Sequence, residues 1–114
     1  DAGAREDVLE IMGTPTPSEY AMSQNYPNPF NPSCTIGFAV PDRSQIRLAV
    51  YDMLGREVAV LTEGAFSPGH YRTTWNGRYS SGEQASTGTY IYRLSALGES
   101  GRQYSRSSMM MLTK

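Results

Sequence analysis

Thr89-Tyr90-Ile91-Tyr92-Arg93-Leu94-Ser95-Ala96 decides the fold class. Tyr90, Tyr92, Leu94 and Ala96 recur at every second position. Side chains of a strand point to alternate faces, so this period marks a strand with one buried face. Gly98-Glu99-Ser100-Gly101 follows as a turn, and a last strand is expected over about residues 103–112, which makes a hairpin. The same reading extends toward the N-terminus. Ile36, Phe38 and Val40 alternate with Thr35, Gly37 and Ala39 until Pro41-Asp42. Ile46, Leu48 and Val50 alternate with Arg47, Ala49 and Tyr51. Asp52-Met53-Leu54-Gly55-Arg56 is a turn in which Gly55 takes positive φ. Val58 and Val60 are expected to continue the alternation beyond it, so residues 44–62 form another hairpin. Ser67-Pro68-Gly69-His70 is a turn, and Tyr71, Thr73 and Trp75 follow at period two before Asn76-Gly77. No stretch carries a convincing helical period. The expected fold is all-β, an antiparallel immunoglobulin-like β-sandwich of about seven strands. A small barrel is the alternative.

Ahead of these strands stands Asn25-Tyr26-Pro27-Asn28-Pro29-Phe30-Asn31-Pro32. Three prolines in six residues exclude a helix and a central strand, since each fixes φ, removes a donor and extends the residue before it. Pro27, Asn28 and Pro29 are read either as a recognition loop or as a rigid lead into the first strand. Thr14-Pro15-Thr16-Pro17-Ser18 has the composition of an extended, semi-rigid linker. Residues 1–20 are therefore taken as an N-terminal extension with a Pro/Thr linker, and residues 21–114 as the sandwich. Within the extension, Val8, Leu9, Ile11 and Met12 form an apolar cluster suited to a short strand or one helical turn.

Composition narrows the function. The 114 residues suffice for one modest core, and the formal net charge is -1. No basic excess exists to seek phosphates, which argues against nucleic acid as a partner. One cysteine, Cys34, forbids an intrachain disulfide, and one histidine with one cysteine excludes a dense zinc site. No run approaches the roughly 18 apolar residues of a spanning helix. The chain opens on Asp1 and reads as a mature fragment or a segment of a longer precursor. Eight tyrosines against three phenylalanines suit strands with an apolar ring and a wet hydroxyl.

Residues with chemical potential have structural readings beside them. Trp75 is a core or rim aromatic, or a sugar-stacking platform. His70 has no nucleophile in a recognisable motif near it, so no triad is expected. Cys34 suits a small buried position, and Gly88 and Tyr90 are expected to start a core strand, the glycine admitting a close backbone approach. Asp42, Asp52, Glu57, Glu63, Glu83 and Glu99 are expected at turns or strand ends. No phosphate loop, zinc-protease or calcium-loop motif occurs, and no cofactor, metal or catalytic residue is assigned. The closing Met109-Met110-Met111-Leu112 puts Met109 and Met111 on one face of a strand and Met110 and Leu112 on the other. A strand apolar on both faces is buried twice or shared with a partner. It is open to reading by addition to another sheet.

The order of landmarks carries a resemblance. The proline box is followed by Val50-Tyr51-Asp52-Met53-Leu54-Gly55-Arg56-Glu57-Val58, then Trp75-Asn76-Gly77-Arg78, then Ser86-Thr87-Gly88-Thr89-Tyr90-Ile91-Tyr92-Arg93-Leu94, and last Met109–Lys114. Over about residues 24–114 this resembles the C-terminal sorting domain of type IX secretion cargo in Bacteroidetes and related bacteria. The middle also looks like the immunoglobulin-like domain of the flagellar hook-capping protein. Two features depart from the pattern: Asn76 stands where an aspartate is common, and paired lysines are missing before the apolar tail. The resemblance implies a non-enzymatic module, read by the outer-membrane translocon of type IX secretion after passage through the periplasm. A sortase-like peptidase and attachment of cargo to surface lipopolysaccharide are implied as well, with a secreted or outer-membrane-surface location. The implied recognition positions are Pro27, Asn28, Pro29, Gly88, Tyr90, Met109, Met110, Met111, Leu112 and Lys114. Two alternatives stand beside it. One is a self-assembling extracellular subunit whose residues 1–20 pack on an identical copy through Val8, Leu9, Ile11 and Met12. The other is a carbohydrate-binding module.

Overall fold

The computed structural model describes residues 8–11 and 15–113. Among the described residues eight strands run in chain order: β1 (Val8–Ile11), β2 (Ala21–Met22), β3 (Cys34–Val40), β4 (Ser44–Tyr51), β5 (Glu57–Phe66), β6 (Gly69–Trp75), β7 (Gly88–Gly98) and β8 (Gln103–Leu112). They form two four-stranded sheets of order β1-β6-β3-β2 and β5-β4-β7-β8. Every strand pair is antiparallel. Strands β2 to β8 supply the seven expected of an immunoglobulin-like sandwich, and β1 adds an eighth from the extension.

The inner faces are those that period two marks. Ile36, Phe38, Val40, Tyr71, Thr73 and Trp75 line one sheet, while Ile46, Leu48, Val50, Tyr90, Tyr92, Leu94, Met110 and Leu112 line the other, and all are buried. Phe38 stacks on Tyr71 at 5.5 Å, and Phe66 meets Tyr71 edge-on at 4.9 Å, the geometry that aromatic quadrupoles favour. Tyr71 and Tyr90 each enter a strand and donate the hydroxyl to the carbonyl four residues upstream, Ser67 at 2.7 Å and Ser86 at 2.6 Å. These are two tyrosine corners, a device that pins a chain where it enters a sandwich strand.

β5 departs from the expected alternation. Its register against β4 shifts between Leu48 and Ala49 and again between Val50 and Tyr51. Two bulges in ten residues abolish period two. Val58, Ala59, Leu61 and Thr62 are all buried, and Val60 is only half-buried. Glu63 sits within β5 rather than at a strand end.

The linker is fastened at the opposite end of the sandwich from the proline box. Tyr20 is buried, its hydroxyl is 2.6 Å from Ser44 Oγ, and its ring stacks on Tyr104 at 5.3 Å. Val8–Ile11 pairs with β6 of its own chain, in the register Val8↔Thr73 to Ile11↔His70. Strand is thus the correct choice between strand and helical turn. Met12 lies outside the described residues.

Candidate functional site

Proline dictates the course of residues 25–32. Tyr26 exchanges two main-chain bonds with Thr35, at 2.9 and 2.8 Å, and there the edge pairing stops. Phe30 turns inward and is 1% exposed, with its ring 5.5 Å from Trp75. Trp75 meets Tyr90 edge-on at 5.3 Å and donates its indole N–H to the Arg78 carbonyl at 2.9 Å. Phe30 is therefore the plug of one end of the core.

The plug lays the proline box along the outer edge of β8. Phe30 N–H donates to the Met111 carbonyl at 2.9 Å, and Thr113 N–H donates to the Phe30 carbonyl at 3.0 Å. Phe30 and Leu112 form a parallel bridge. Asn28 Oδ1 accepts from Met111 N–H at 3.1 Å, and Gln24 Nε2 donates to the Met109 carbonyl at 3.0 Å. Lead-in residues are fixed as firmly. Tyr92, fully buried, accepts from Asn25 N–H at 2.8 Å and donates to the Ser23 carbonyl at 3.0 Å.

Pro27, Asn28, Pro29, Gly88, Tyr90 and Met109–Leu112 therefore meet at one end of the sandwich. Gly88 pairs with Leu112 and Tyr90 with Met110. Met110 and Leu112 point into the core, whereas Met109 is 59% and Met111 44% exposed. Asn28, Pro29, Thr89, Met109 and Met111 line a shallow groove of about 310 Å³. A row Tyr51, Ile91, Met109 crosses the outer face beside it, and Met53 and Leu54 stand exposed in the β4–β5 turn. Lys114 lies outside the described residues. Val8, Leu9 and Ile11 belong to the other sheet.

Two expectations are corrected here. Over Met109–Thr113 the outward main chain is already bonded to the proline box and Gln24, so another sheet cannot add to it there. The exposed methionine side chains are what remains to be read. Gly88 does start a core strand, yet a Cβ on it would meet nothing within 4 Å. Its φ of 146°, not a close backbone approach, is what calls for glycine.

The chemistry-bearing groups have structural partners. Arg47 holds Glu57 and Glu63, and Ser100 Oγ donates to Asp42 at 2.9 Å. The Cys34 thiol is buried beside Met110, and burial pushes it up to about 11. Trp75 is 2% exposed, so it offers no platform for a sugar. Among the described residues no group of three His, Cys, Asp or Glu side chains is placed to hold a metal.

Asp52 organises the β4–β5 turn. Its Oδ1 accepts from Arg56 N–H at 3.0 Å and Leu54 N–H at 2.9 Å, and Oδ2 pairs with Arg56 Nε at 2.8 Å. Gly55 takes φ 85°. The Arg56 N–H, followed by the Arg56 side chain and the Leu54 N–H, holds the carboxyl below its ordinary value of 3.8. A carboxyl lowered on folding gives stability that is complete above its unfolded value and is lost as pH falls through the folded one. Asp52→Asn is therefore expected to lower the urea midpoint at pH 7 and to soften its decline below about pH 4. Parallel decline of both proteins in urea titrations from pH 7 to 2 would contradict this.

Residues 33–100, β3 through the β7–β8 turn, match the family model of the FlgD Ig-like domain. The chain belongs to the FlgD Ig-like domain family. Among solved structures this FlgD-type domain is similar to dimeric latent PorU from Porphyromonas gingivalis. The TM-score is 0.67 and the identity 18%, over 83% of this chain and 9% of PorU. FlgD from P. aeruginosa gives a TM-score of 0.55 and 24% identity, over 69% of this chain and 61% of that one. PorZ, described as an essential surface component of the type IX secretion system of P. gingivalis, gives 0.51 and 18%, over 83% and 11%. At these identities the likeness is one of fold. The FlgD-type domain spans less than two thirds of each of these proteins. No curated protein sequence matches it.

Sequence reading missed Phe30, Asn25, Gln24 and Tyr92 as the residues that build this end. Phe30 left one signal, an aromatic ring set among prolines. Tyr92 left its core spacing but no sign of its bonds, and Asn25 and Gln24 left none, because the partners that fix this end lie far away in the chain.

Proposed function

We propose that this FlgD-type domain is a non-catalytic sorting and attachment module, read by the type IX secretion machinery on the way to the cell surface. The reading rests on the order of motifs from the proline box to Met109–Lys114 and on the family membership. Fold likeness to PorU and PorZ adds to it. One observation carries it: the closing strand shows Met109 and Met111 to solvent while its main-chain edge over Met109–Thr113 is taken by the proline box and Gln24. Unbranched methionine adapts to a partner's surface, and the groove beside Asn28 and Pro29 gives that partner a shaped footing. The partners are the translocon and, after export, a sortase-like peptidase that joins cargo to lipopolysaccharide. The final location is extracellular or on the outer-membrane surface.

The test is a fusion of residues 20–114 to a periplasmic reporter in a type IX-competent host. The reporter is expected at the surface or in the medium. Retention in the periplasm, while an established signal exports the same reporter, overturns the proposal. Met109→Ser with Met111→Ser is expected to leave stability within about 0.5 kcal/mol, as exposed positions do. Export should fall about tenfold, the loss that hot-spot side chains give.

A further inference from the structure

We propose that the hollow between the β4–β5 turn and the outer face of β7 and β8 is a binding site for a carboxylate carried beside an apolar side chain on a peptide segment of a partner protein. The site does not depend on the sorting function. Tyr51, Asp52, Gly55, Ile91, Arg93 and Ser107 line a space of about 340 Å³. Cross-strand registers lay its floor: Arg93 stands opposite Ser107, and in the adjoining row Ile91 lies between Tyr51 and Met109. The wall is the β4–β5 turn, which Asp52 holds by accepting from the Leu54 and Arg56 N–H groups.

The direction of the hydrogen bonds selects the ligand. Arg93 Nε donates to Ser107 Oγ at 3.2 Å, so the Ser107 hydroxyl proton is left over, as are both Arg93 Nη groups. Arg47 Nη1 donates to the Tyr51 hydroxyl at 3.0 Å, which leaves the Tyr51 proton over too. Among the described residues none of these donors has an acceptor, so the hollow calls for a group rich in lone pairs. Charge agrees. Arg56 pairs with Asp52, and Arg47 is spent on Glu57 and Glu63. Arg93 is in no ion pair among the described residues, and this one spare cation matches one negative charge. A phosphate monoester brings about −1.5 to −2 and would leave charge uncompensated beside Asp52 and Glu57. A carboxylate meets the planar Arg93 fork with two parallel bonds. The adjoining row sets the second requirement. Ile91 is half-buried and Met109 is exposed, and positions two apart on one strand face lie about 7 Å apart. That is the reach from a carboxylate to an apolar side chain on the same or the next residue of a peptide.

The test is an amide-shift titration of the isotope-labelled full chain at low salt, where an exposed ion pair is least screened. The probes are N-acetylleucine, its uncharged amide N-acetylleucinamide, acetate and inorganic phosphate. N-acetylleucine is expected to move the Ile91, Arg93 and Ser107 amides with half-saturation in the millimolar range, as an exposed ion pair with one small apolar contact allows. The amide should move none of them. Equal shifts from acid and amide, or none from either, overturn the proposal. Acetate should need a several-fold higher concentration than N-acetylleucine. Equal half-saturation would mean an adventitious ion only, and phosphate binding more tightly than N-acetylleucine would make the site one for phosphate, so either result overturns it. Arg93 is exposed, so Arg93→Gln keeps the fold, with shifts elsewhere in the spectrum as the control. This variant is expected to weaken N-acetylleucine about tenfold, the loss that goes with a charge-assisted bond. Unchanged affinity overturns the proposal. Binding is read on the purified protein, so its failure and a failure of export are separate results.

Discussion

Replacing Phe30 by alanine is expected to destabilise the fold by about 3–5 kcal/mol, the range for a buried aromatic cut to a methyl. The side chain is 1% exposed and lies against Trp75, which is itself fixed by Tyr90 and by the bond to Arg78. These neighbours cannot close in, so the void persists. The loss also spreads beyond packing. Phe30 main-chain N–H and carbonyl are the groups that bind Met111 and Thr113, and the buried ring is what holds them against β8. Without it, the three flanking prolines have no anchor and the edge of β8 opens. Urea unfolding reads the first effect, and hydrogen exchange at the Thr113 amide reads the second. Tyr26→Ala, at a residue 79% exposed, serves as the control and should stay within about 0.5 kcal/mol. A loss under about 1 kcal/mol for Phe30→Ala, with Thr113 still protected, would show that the proline box holds β8 by its backbone alone.

The period-two strands were legible because each has one wet face. In β7 the even-numbered residues from Tyr90 to Ala96 are buried between half-buried or exposed odd-numbered ones, so they could be assigned to the core from spacing alone, whereas in β8 only Met110 and Leu112 are buried, and an apolar run on both faces did not say which face that would be. β5 was not legible in this way. Its two bulges turn Val58, Ala59, Leu61 and Thr62 toward the interior together, and a bulge leaves no mark in a run such as Val58-Ala59-Val60-Leu61. The Gly55 turn was readable because only a few residue types tolerate positive φ. Gly88 was read for the wrong reason, since glycine serves both positive φ and close approach and the letter does not say which.

The candidate site was half legible. Its members could be picked out singly: prolines too dense for regular structure, and methionines on both faces of a closing strand. What joins them could not. Phe30 and Leu112 lie about eighty residues apart and pair in parallel, and no local pattern encodes a parallel bridge between a loop and a strand end. The expectation that β8 offers its main chain to a partner failed for that reason: the chain fills this edge itself. Edges are costly to leave open, and both sheets show the same solution. A segment from ahead of β3 covers each of them, Val8–Ile11 on β6 in one sheet and the proline box on the end of β8 in the other.

Tyr92→Phe is expected to cost about 2–3 kcal/mol, although it removes one oxygen and leaves the ring in place. The hydroxyl accepts from Asn25 N–H and donates to the Ser23 carbonyl. Asn25 is 2% exposed, so its N–H finds no water when the oxygen is gone. A buried donor left unpaired costs about 1–3 kcal/mol, more than the net worth of the bond it lost. Tyr90 supplies the comparison, two residues earlier on the same face of the same strand. Its hydroxyl donates to the carbonyl of Ser86, which is an exposed residue, so water can replace it and Tyr90→Phe should cost no more than about 1.5 kcal/mol. The difference between the two variants isolates the lead-in from the strand. If it is real, the Asn25 amide of Tyr92→Phe also loses its protection from exchange while the β7–β8 ladder keeps its own. Equal losses at both positions, with Asn25 still protected, would mean that the proline box is positioned from its Phe30 end alone.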